Sequence, residues 1–314
     1  MPLSLIFEGG GSLGLAYVGA LAELERKEQL GPIARVAGSS AGSIMALCIA
    51  LGYKSTELLE IMSQYDFNKF KDDSWGIMRD TRRLFRRYGL YKGDAMLSWL
   101  RGLIKRKTGR DDLTFQELYS WAKDPVELVV TSTNLNKRCT AYWSVHHSPA
   151  MDVALAVRMS CSIPIMYKPI VFEGDIHVDG GVLLNYPIGV FDDALEDDLE
   201  IDNKRSKKSK KSKKNRHKII GLKIVRPDEQ RNSQIVTTRH DIGGLYDFVD
   251  AIIKSMMVEL ERRDIDDDYW DRTVCINTFG ISSTNFDLTD DEKSRLYRSG
   301  RDAMRTYLDD INNL

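Results

Sequence analysis

Twice in its first fifty residues this chain runs from a short apolar segment through a glycine turn into an apolar helical pattern. The first pass is Leu3 to Phe7, then Gly9-Gly10-Gly11-Ser12-Leu13-Gly14, then Leu15, Val18, Leu21, Ala22 and Leu24 at helical spacing. The second is residues 33–37, then Gly38-Ser39-Ser40-Ala41-Gly42, then a helix over residues 41–51 that is apolar on most faces. Short apolar strands alternating with helices predict a parallel sheet, because parallel neighbours must be joined by a crossover. Further strands are expected over 126–132, 176–178, 219–225 and 273–279, and helices over 151–159, over 245–262 and from Thr289. Residues 55–123 read as helical, with Gly93-Asp94 opening one helix and a Thr114/Glu117 capping box another. The expected fold class is therefore α/β: a mostly parallel central sheet flanked by helices (α/β/α), with a helical insertion near residues 55–123. One domain is expected to span residues 1–314.

The second turn has the pattern Gly-x-Ser-x-Gly at Gly38, Ser40 and Gly42. Chance alone would give the bare pattern in roughly one chain of this length in ten. Its place between strand and helix gives it meaning. A tight strand-to-helix turn strains the serine and exposes its hydroxyl, and the glycines remove side chains that would clash. The following helix points its N-terminus at the same spot, so the Ala41 amide is a candidate donor to an anion formed there. Ser40 is the candidate nucleophile.

The first turn also fits the Gly-x-Gly-x-x-Gly of dinucleotide-binding proteins, at Gly9, Gly11 and Gly14. That reading needs an acidic residue about 20 positions on, ending the second strand, to hold a ribose. Here that strand ends in Arg35-Val36-Ala37 and runs straight into the serine turn. No Gly-Lys-Ser/Thr follows, which removes a Walker loop. What remains is a row of backbone N–H groups, among them Gly10, Gly11 and Ser12, facing an anion that forms during a reaction.

A nucleophilic serine needs a base. Asp179-Gly180-Gly181 follows a predicted strand, which puts Asp179 at the edge where open α/β sheets place their sites. The histidines are His146, His147, His177, His217 and His240. His177 shares the face of Asp179 but lies deeper in the strand, and His217 falls in a basic run. His240 suits the Ser–Asp–His order of α/β-hydrolases. On the residues alone, Asp179 and His240 both stand as candidate bases.

The net charge of −1 hides an uneven distribution. From Lys204 to Lys218 the chain reads KRSKKSKKSKKNRHK, with no apolar residue, so residues 204–218 are expected to form a disordered basic loop. Such a run suits an anionic membrane surface better than nucleic acid, and no nucleic-acid partner is expected. Arg79, Arg82, Arg83, Arg86 and Arg87 add charge elsewhere. The acidic group from Asp264 to Asp271 lacks the Gly and Glu of a calcium loop, having Tyr269 and Cys275 at those positions, so no metal site is expected. Cys48, Cys139, Cys161 and Cys275 are scattered, as reduced core or surface thiols would be. The N-terminus lacks a signal-peptide pattern and no apolar run approaches the ~20 residues of a membrane span. A cytoplasmic protein, peripheral at membranes, is the expectation.

The glycine loop, the serine turn and the Asp179-Gly180-Gly181 turn, in this order, resemble the patatin-like phospholipases of bacterial or viral type. Ser160-Cys161-Ser162-Ile163-Pro164, then Pro169, the Asp179 turn and Asn185-Tyr186-Pro187 are similar to that family's signature nearly position for position. The resemblance implies a phospholipase A-type acyl hydrolase with Ser40 as nucleophile, Asp179 as proton acceptor and no histidine. It implies an acyl-enzyme intermediate, no calcium and no cofactor. The motif glycines are then Gly9, Gly14, Gly38, Gly42, Gly180 and Gly181, and Gly10, Gly11, Ser12 and Ala41 form the oxyanion hole. The implied substrate is a membrane phospholipid or another acyl lipid; no activator protein is legible. The alternatives are a transacylase or triacylglycerol lipase using the same pair, or a non-enzymatic nucleotide- or lipid-binding module. Leu13 departs from the Arg or Lys that many members carry in the glycine loop.

Overall fold

The computed structural model describes residues 2–27, 31–72, 88–192, 218–225, 242–264 and 267–312. Its strands are β1 (Leu3–Phe7), β2 (Ile33–Gly38), β3 (Gly89–Tyr91), β4 (Glu127–Asn134), β5 (Cys139–Trp143), β6 (Ile165–Tyr167), β7 (Ile170–Phe172), β8 (Asp175–Asp179), β9 (Lys218–Val225) and β10 (Thr273–Asn277). Its helices are α1 (Gly14–Arg26), α2 (Ala41–Ala50), α3 (Ser55–Gln64), α4 (Asp94–Thr108), α5 (Phe115–Trp121), α6 (Val153–Ser160), α7 (Gly181–Leu184), α8 (Leu245–Asp264), α9 (Asp267–Asp271) and α10 (Asp290–Asn312). Short 3-10 turns lie at Gly11–Leu13 and Phe67–Phe70.

The main sheet runs β10-β9-β1-β2-β4-β8-β7, with β5 also bonded to β4. Every pairing from β10 to β4 is parallel, as the alternation of strands and helices predicts. All of β1 is buried, as expected of a strand covered on both faces. Every residue of α2 is buried too, which its all-round apolar sequence requires. The insertion contains the expected helices α3, α4 and α5. It also holds β3, which pairs in parallel with β6 in a separate two-stranded sheet. The basic run lies outside the described residues except for Lys218, which is half-buried and begins β9. The arginines at 79–87 and His240 also lie outside them.

The far side of the sheet differs from a simple parallel array. β8, which carries Asp179, is antiparallel to both β4 and β7. β2 pairs with β4 as far as Gly38 opposite Val130, and residues 131–134 of β4 run on beyond that point. β8 returns along this overhang and sets Asp179 opposite Ser132. The end of β8 thus lies level with the turn that follows Gly38.

Two contacts brace the glycine loop from behind. A Cβ on Gly19 would lie 1.9 Å from the Tyr297 carbonyl oxygen, and one on Gly300 would lie 1.8 Å from that of Ala16. The backbones of α1 and α10 therefore touch, which fixes the helix that the loop opens. Where β1 ends, Glu8 is buried and ion-paired with buried Lys223 on β9. Its other oxygen accepts the Ile224 amide at 2.7 Å.

Removing one member of a buried ion pair leaves the other charge poorly compensated. Lys223→Met removes the buried cation from the Glu8 carboxylate, and is expected to cost about 3–5 kcal/mol in urea unfolding. Adding Glu8→Gln to that variant is expected to restore most of the loss. An unchanged midpoint in the single variant would contradict this account.

Candidate active site

Only Ser39 and Ser40 separate β2 from α2. Ser40 takes φ 49° and ψ −125°, a conformation costing on the order of 1–3 kcal/mol for a residue with a side chain. Its neighbours hold it there. A Cβ on Gly42 would lie 2.4 Å from the Phe7 carbonyl oxygen, so α2 can start this close to β1 only with glycine. The Ser39 amide donates to that same oxygen at 3.3 Å. The Ser40 amide donates to the Ser160 hydroxyl at 2.8 Å, and the Ser43 hydroxyl donates to the Ser40 carbonyl at 2.6 Å.

Ser40 Oγ donates to Asp179 Oδ2 at 2.7 Å, with both residues buried. The second oxygen, Oδ1, accepts the Gly181 amide at 2.8 Å. The Asp179 amide donates to the Ser162 carbonyl at 2.9 Å, and the Gly180 amide to that of Ser160 at 3.3 Å. Burial pushes the Asp179 carboxyl up to about 7, against the lowering pull of the Ser40 and Gly181 hydrogen bonds and the Arg158 charge. Such a group is half-ionised near neutrality and, once ionised, is a far stronger base than a free aspartate at ~3.9.

The described histidines stand elsewhere. His177 is buried against Trp143, with ring centroids 5.4 Å apart, and its Nδ1 lies 3.1 Å from Ser132 Oγ. Burial holds its pKa below the ordinary histidine value. His146 lies beside Glu127 and His147 beside Ser144. His217 and His240 lie outside the described residues.

Of the four amides expected to receive an oxyanion, that of Ser12 is already engaged. It donates to the Ser283 carbonyl at 2.9 Å, and its hydroxyl follows at 3.1 Å. The amides of Gly10, Gly11 and Ala41 find no protein acceptor among the described residues. Gly11 adopts φ +53°, and a Cβ there would lie 2.0 Å from the same Ser283 oxygen. The loop around Ser283 therefore fixes the glycine turn, a contact across more than half the chain with no local sequence signal. Gly9 lies close to Ser40, its hypothetical Cβ 3.2 Å from the Ser40 Cβ. Leu13 is buried.

Beside Ser40 and Gly11 opens a narrow apolar cleft walled by Ile44, Met62, Phe70, Met96, Trp99 and Phe286. Tyr65, Phe67, Phe70 and Trp99 pack ring to ring, with centroids 5.2 to 6.0 Å apart. Chemically, the site offers a hydroxyl already bonded to a base, unpaired amide donors nearby and an apolar slot. In the acidic run, Asp268 pairs with Arg272, which also holds Asp192. Among the described residues no cluster suited to a metal ion occurs.

Comparison with known proteins matches this geometry to a family. The model for the patatin-like phospholipases matches residues 5–192, which include both Ser40 and Asp179. An uncharacterized protein of Acanthamoeba polyphaga mimivirus is 30% identical over 307 residues, 97% of this chain and 93% of its own. A protein of invertebrate iridescent virus 6, described as a probable lipid hydrolase, is 27% identical over 187 residues, 60% of this chain and 62% of its own. Among solved structures, VipD from Legionella pneumophila shares the fold, with a TM-score of 0.59 at 15% identity over 98% of this chain and 67% of its own.

The raised pKa has a consequence for stability. An unfolded aspartate ionises near ~3.9, whereas Asp179 does so at about 7. Between those values the native state binds a proton that the unfolded state does not, so stability falls as pH rises through the window. Asp179→Asn is expected to melt several degrees above wild type at pH 8, with the gain vanishing near pH 4. Thermal scans at the two pH values check this, and an equal gain at both would contradict it.

Proposed function

Because the chain belongs to the patatin-like phospholipase family, we propose that it is a calcium-independent, phospholipase A-type acyl hydrolase with Ser40 as nucleophile and Asp179 as base. Family membership supports lipid hydrolase activity as such. The finer reading rests on one observation, the direct 2.7 Å hydrogen bond from Ser40 Oγ to Asp179 Oδ2.

In this reading Asp179 accepts the Ser40 proton as Oγ attacks the ester carbonyl. The amides of Gly10, Gly11 and Ala41 receive the oxyanion, each such donor being worth roughly 3–4 kcal/mol in the transition state. Asp179 then gives the proton to the departing alcohol, leaving the acyl group on Ser40. Water enters, loses a proton to Asp179 and attacks the acyl-enzyme; Asp179 gives that proton back to Ser40 Oγ as the acyl bond breaks and the fatty acid leaves. No step calls on a histidine or a metal. The fatty chain lies in the cleft between Met62, Met96 and Trp99, whose apolar walls match it.

Among the described residues no helix is long and apolar enough to cross a membrane. The enzyme would meet its substrate at the bilayer surface. There the basic run of residues 204–218 would add about 1 kcal/mol of attraction to anionic lipid per basic residue, weakened by salt.

Fatty-acid release from mixed phospholipid and triacylglycerol vesicles, with a calcium chelator present, tests this reading. Ser40→Ala and Asp179→Asn are each expected to lower release by roughly a thousandfold or more, and His240→Ala to leave it within about twofold. Loss in the histidine variant would replace the serine–aspartate mechanism with a triad. Release from triacylglycerol alone would make the enzyme a neutral lipase. Met96→Trp is expected to cut kcat/KM for long-chain esters roughly tenfold while sparing butyryl esters, since it fills the cleft. Equal loss on both would place the fatty chain elsewhere.

A further inference from the structure

Arg158 of α6 is 1% exposed and is the largest of the fully buried side chains. All the acceptors of its guanidinium are neutral. Nε donates to the Gly93 carbonyl at 2.9 Å, and Nη1 to Ser162 Oγ at 2.6 Å. Nη2 donates to the carbonyls of Lys92 at 2.8 Å and Lys168 at 3.2 Å. Among the described residues no carboxylate forms an ion pair with it, although Asp72 and Asp94 attract it from further off. The Tyr167 ring lies 5.2 Å away. The fit is close enough that a Cβ on Gly93 would lie 2.0 Å from Nη2.

A buried cation without an ion pair is expensive, and an apolar side chain of similar length would fill the space at less cost. Packing alone does not account for an arginine here. What its guanidinium holds does. Ser162 Oγ accepts from Arg158 and donates back to the Arg158 carbonyl at 2.9 Å. The Ser162 carbonyl is the acceptor for the Asp179 amide. Between the two lies Ser160, whose hydroxyl takes the Ser40 amide and whose carbonyl takes the Gly180 amide. Residues 160–162 thus grip the nucleophile turn and the base turn together.

We propose that Arg158 is the positioning residue of the Ser40–Asp179 pair: its buried guanidinium anchors the 160–162 segment that bonds both residues. This rests on the serine–aspartate reading above. Burial raises the Asp179 pKa, while the Ser40 hydroxyl, the Gly181 amide and, last, the Arg158 cation favour its ionised form; the buried Cys161 thiol in turn feels the Asp179 charge. Burial pushes that thiol up to about 12, so it is neutral throughout the working range. Arg158 is faced by Asp72, Asp94, Cys161 and the Tyr167 phenol, whose own pKa burial raises. Burial lowers the Arg158 pKa, but a guanidinium keeps its proton in proteins.

The pH dependence of kcat on a short-chain nitrophenyl ester separates charge from packing, with thermal melting as the check on folding. Wild type is expected to lose activity through an acid limb set by Asp179. Arg158→Gln keeps a donor but no charge. Its limb is expected about half to one unit higher, so that at pH 6 it loses about threefold to tenfold more activity than at pH 9. Arg158→Lys keeps the charge but cannot reach four acceptors. Its kcat is expected to fall at every pH with the limb within about 0.2 unit of wild type. An unmoved limb in Arg158→Gln, or a limb moved equally by Arg158→Lys, would overturn the pull of its charge on Asp179. If Arg158→Gln does not fold, Ser162→Ala takes its place. That variant is expected to lower kcat with the limb unmoved, and an unchanged kcat would overturn the anchoring role. Absence of Ser40-dependent hydrolysis in wild type would defeat the serine–aspartate reading itself.

Discussion

A carboxylate and a hydroxyl held 2.7 Å apart away from water is an arrangement that relaxes unless its surroundings prevent it. Burial favours the neutral acid, and the acid is useless as a base. Two hydrogen bonds oppose that drift, from the Ser40 hydroxyl and the Gly181 amide to its two oxygens, and the Arg158 charge adds to them from further off. The result is a carboxyl poised at about 7 instead of one locked in its neutral form. Ser40 presents a parallel case. Its positive φ survives because Gly42 lets α2 start against β1 and because Ser160 holds the Ser40 amide. The sheet, the buried α2 and the bracing of α1 by α10 can be read as the rigid frame that this one contact requires.

Much of that frame is local chemistry and was legible in the residues. A strand such as LSLIF, apolar throughout, has no solvent face to offer, so burial on both sides follows. The serine turn and the glycine loop were legible because a tight turn before a helix leaves few residue choices. Direction along the sheet was not legible. β8 ends in Asp179 whichever way it runs, and its antiparallel path depends on how far β4 overhangs β2. From the sequence, Asp179 stands at a strand's C-terminal end, and β8 brings it beside Ser40 by an antiparallel path. The short strands β5 and β7 carry mixed, partly exposed residues, and nothing in CTAYW or IVF separates a strand from a loop.

Contacts between distant segments account for the rest. Ser160 meets Ser40 across 120 positions, and Ser12 meets Ser283 across 271. Hydrogen bonds of that span leave no periodicity behind. This is why Ser12 read as a free donor when its amide is already taken, and why the stretch from Ser160 to Pro164 read as a family likeness with no stated task. Arg158 did carry a signal: a lone cation in VALAVRMS, on the side of a helix otherwise fit for the core. A charge on an apolar face demands either a partner or a purpose, and the partner found here is a set of carbonyls.

The placement of charge has a further logic. Leu13 sits buried in the glycine loop, so in the proposed reaction backbone dipoles alone meet the oxyanion on that side. A full positive charge there would favour the oxyanion, but it would also draw down the Asp179 pKa and weaken the base. The cation that acts on Asp179 in this chain is instead Arg158, tied to neutral acceptors. Burial and two hydrogen bonds set the Asp179 carboxyl near neutrality, with the Arg158 charge a smaller pull toward its ionised form. In the proposed mechanism, backbone dipoles facing the oxyanion and a carboxyl poised near neutrality let a single aspartate take a serine proton and return it to the leaving group.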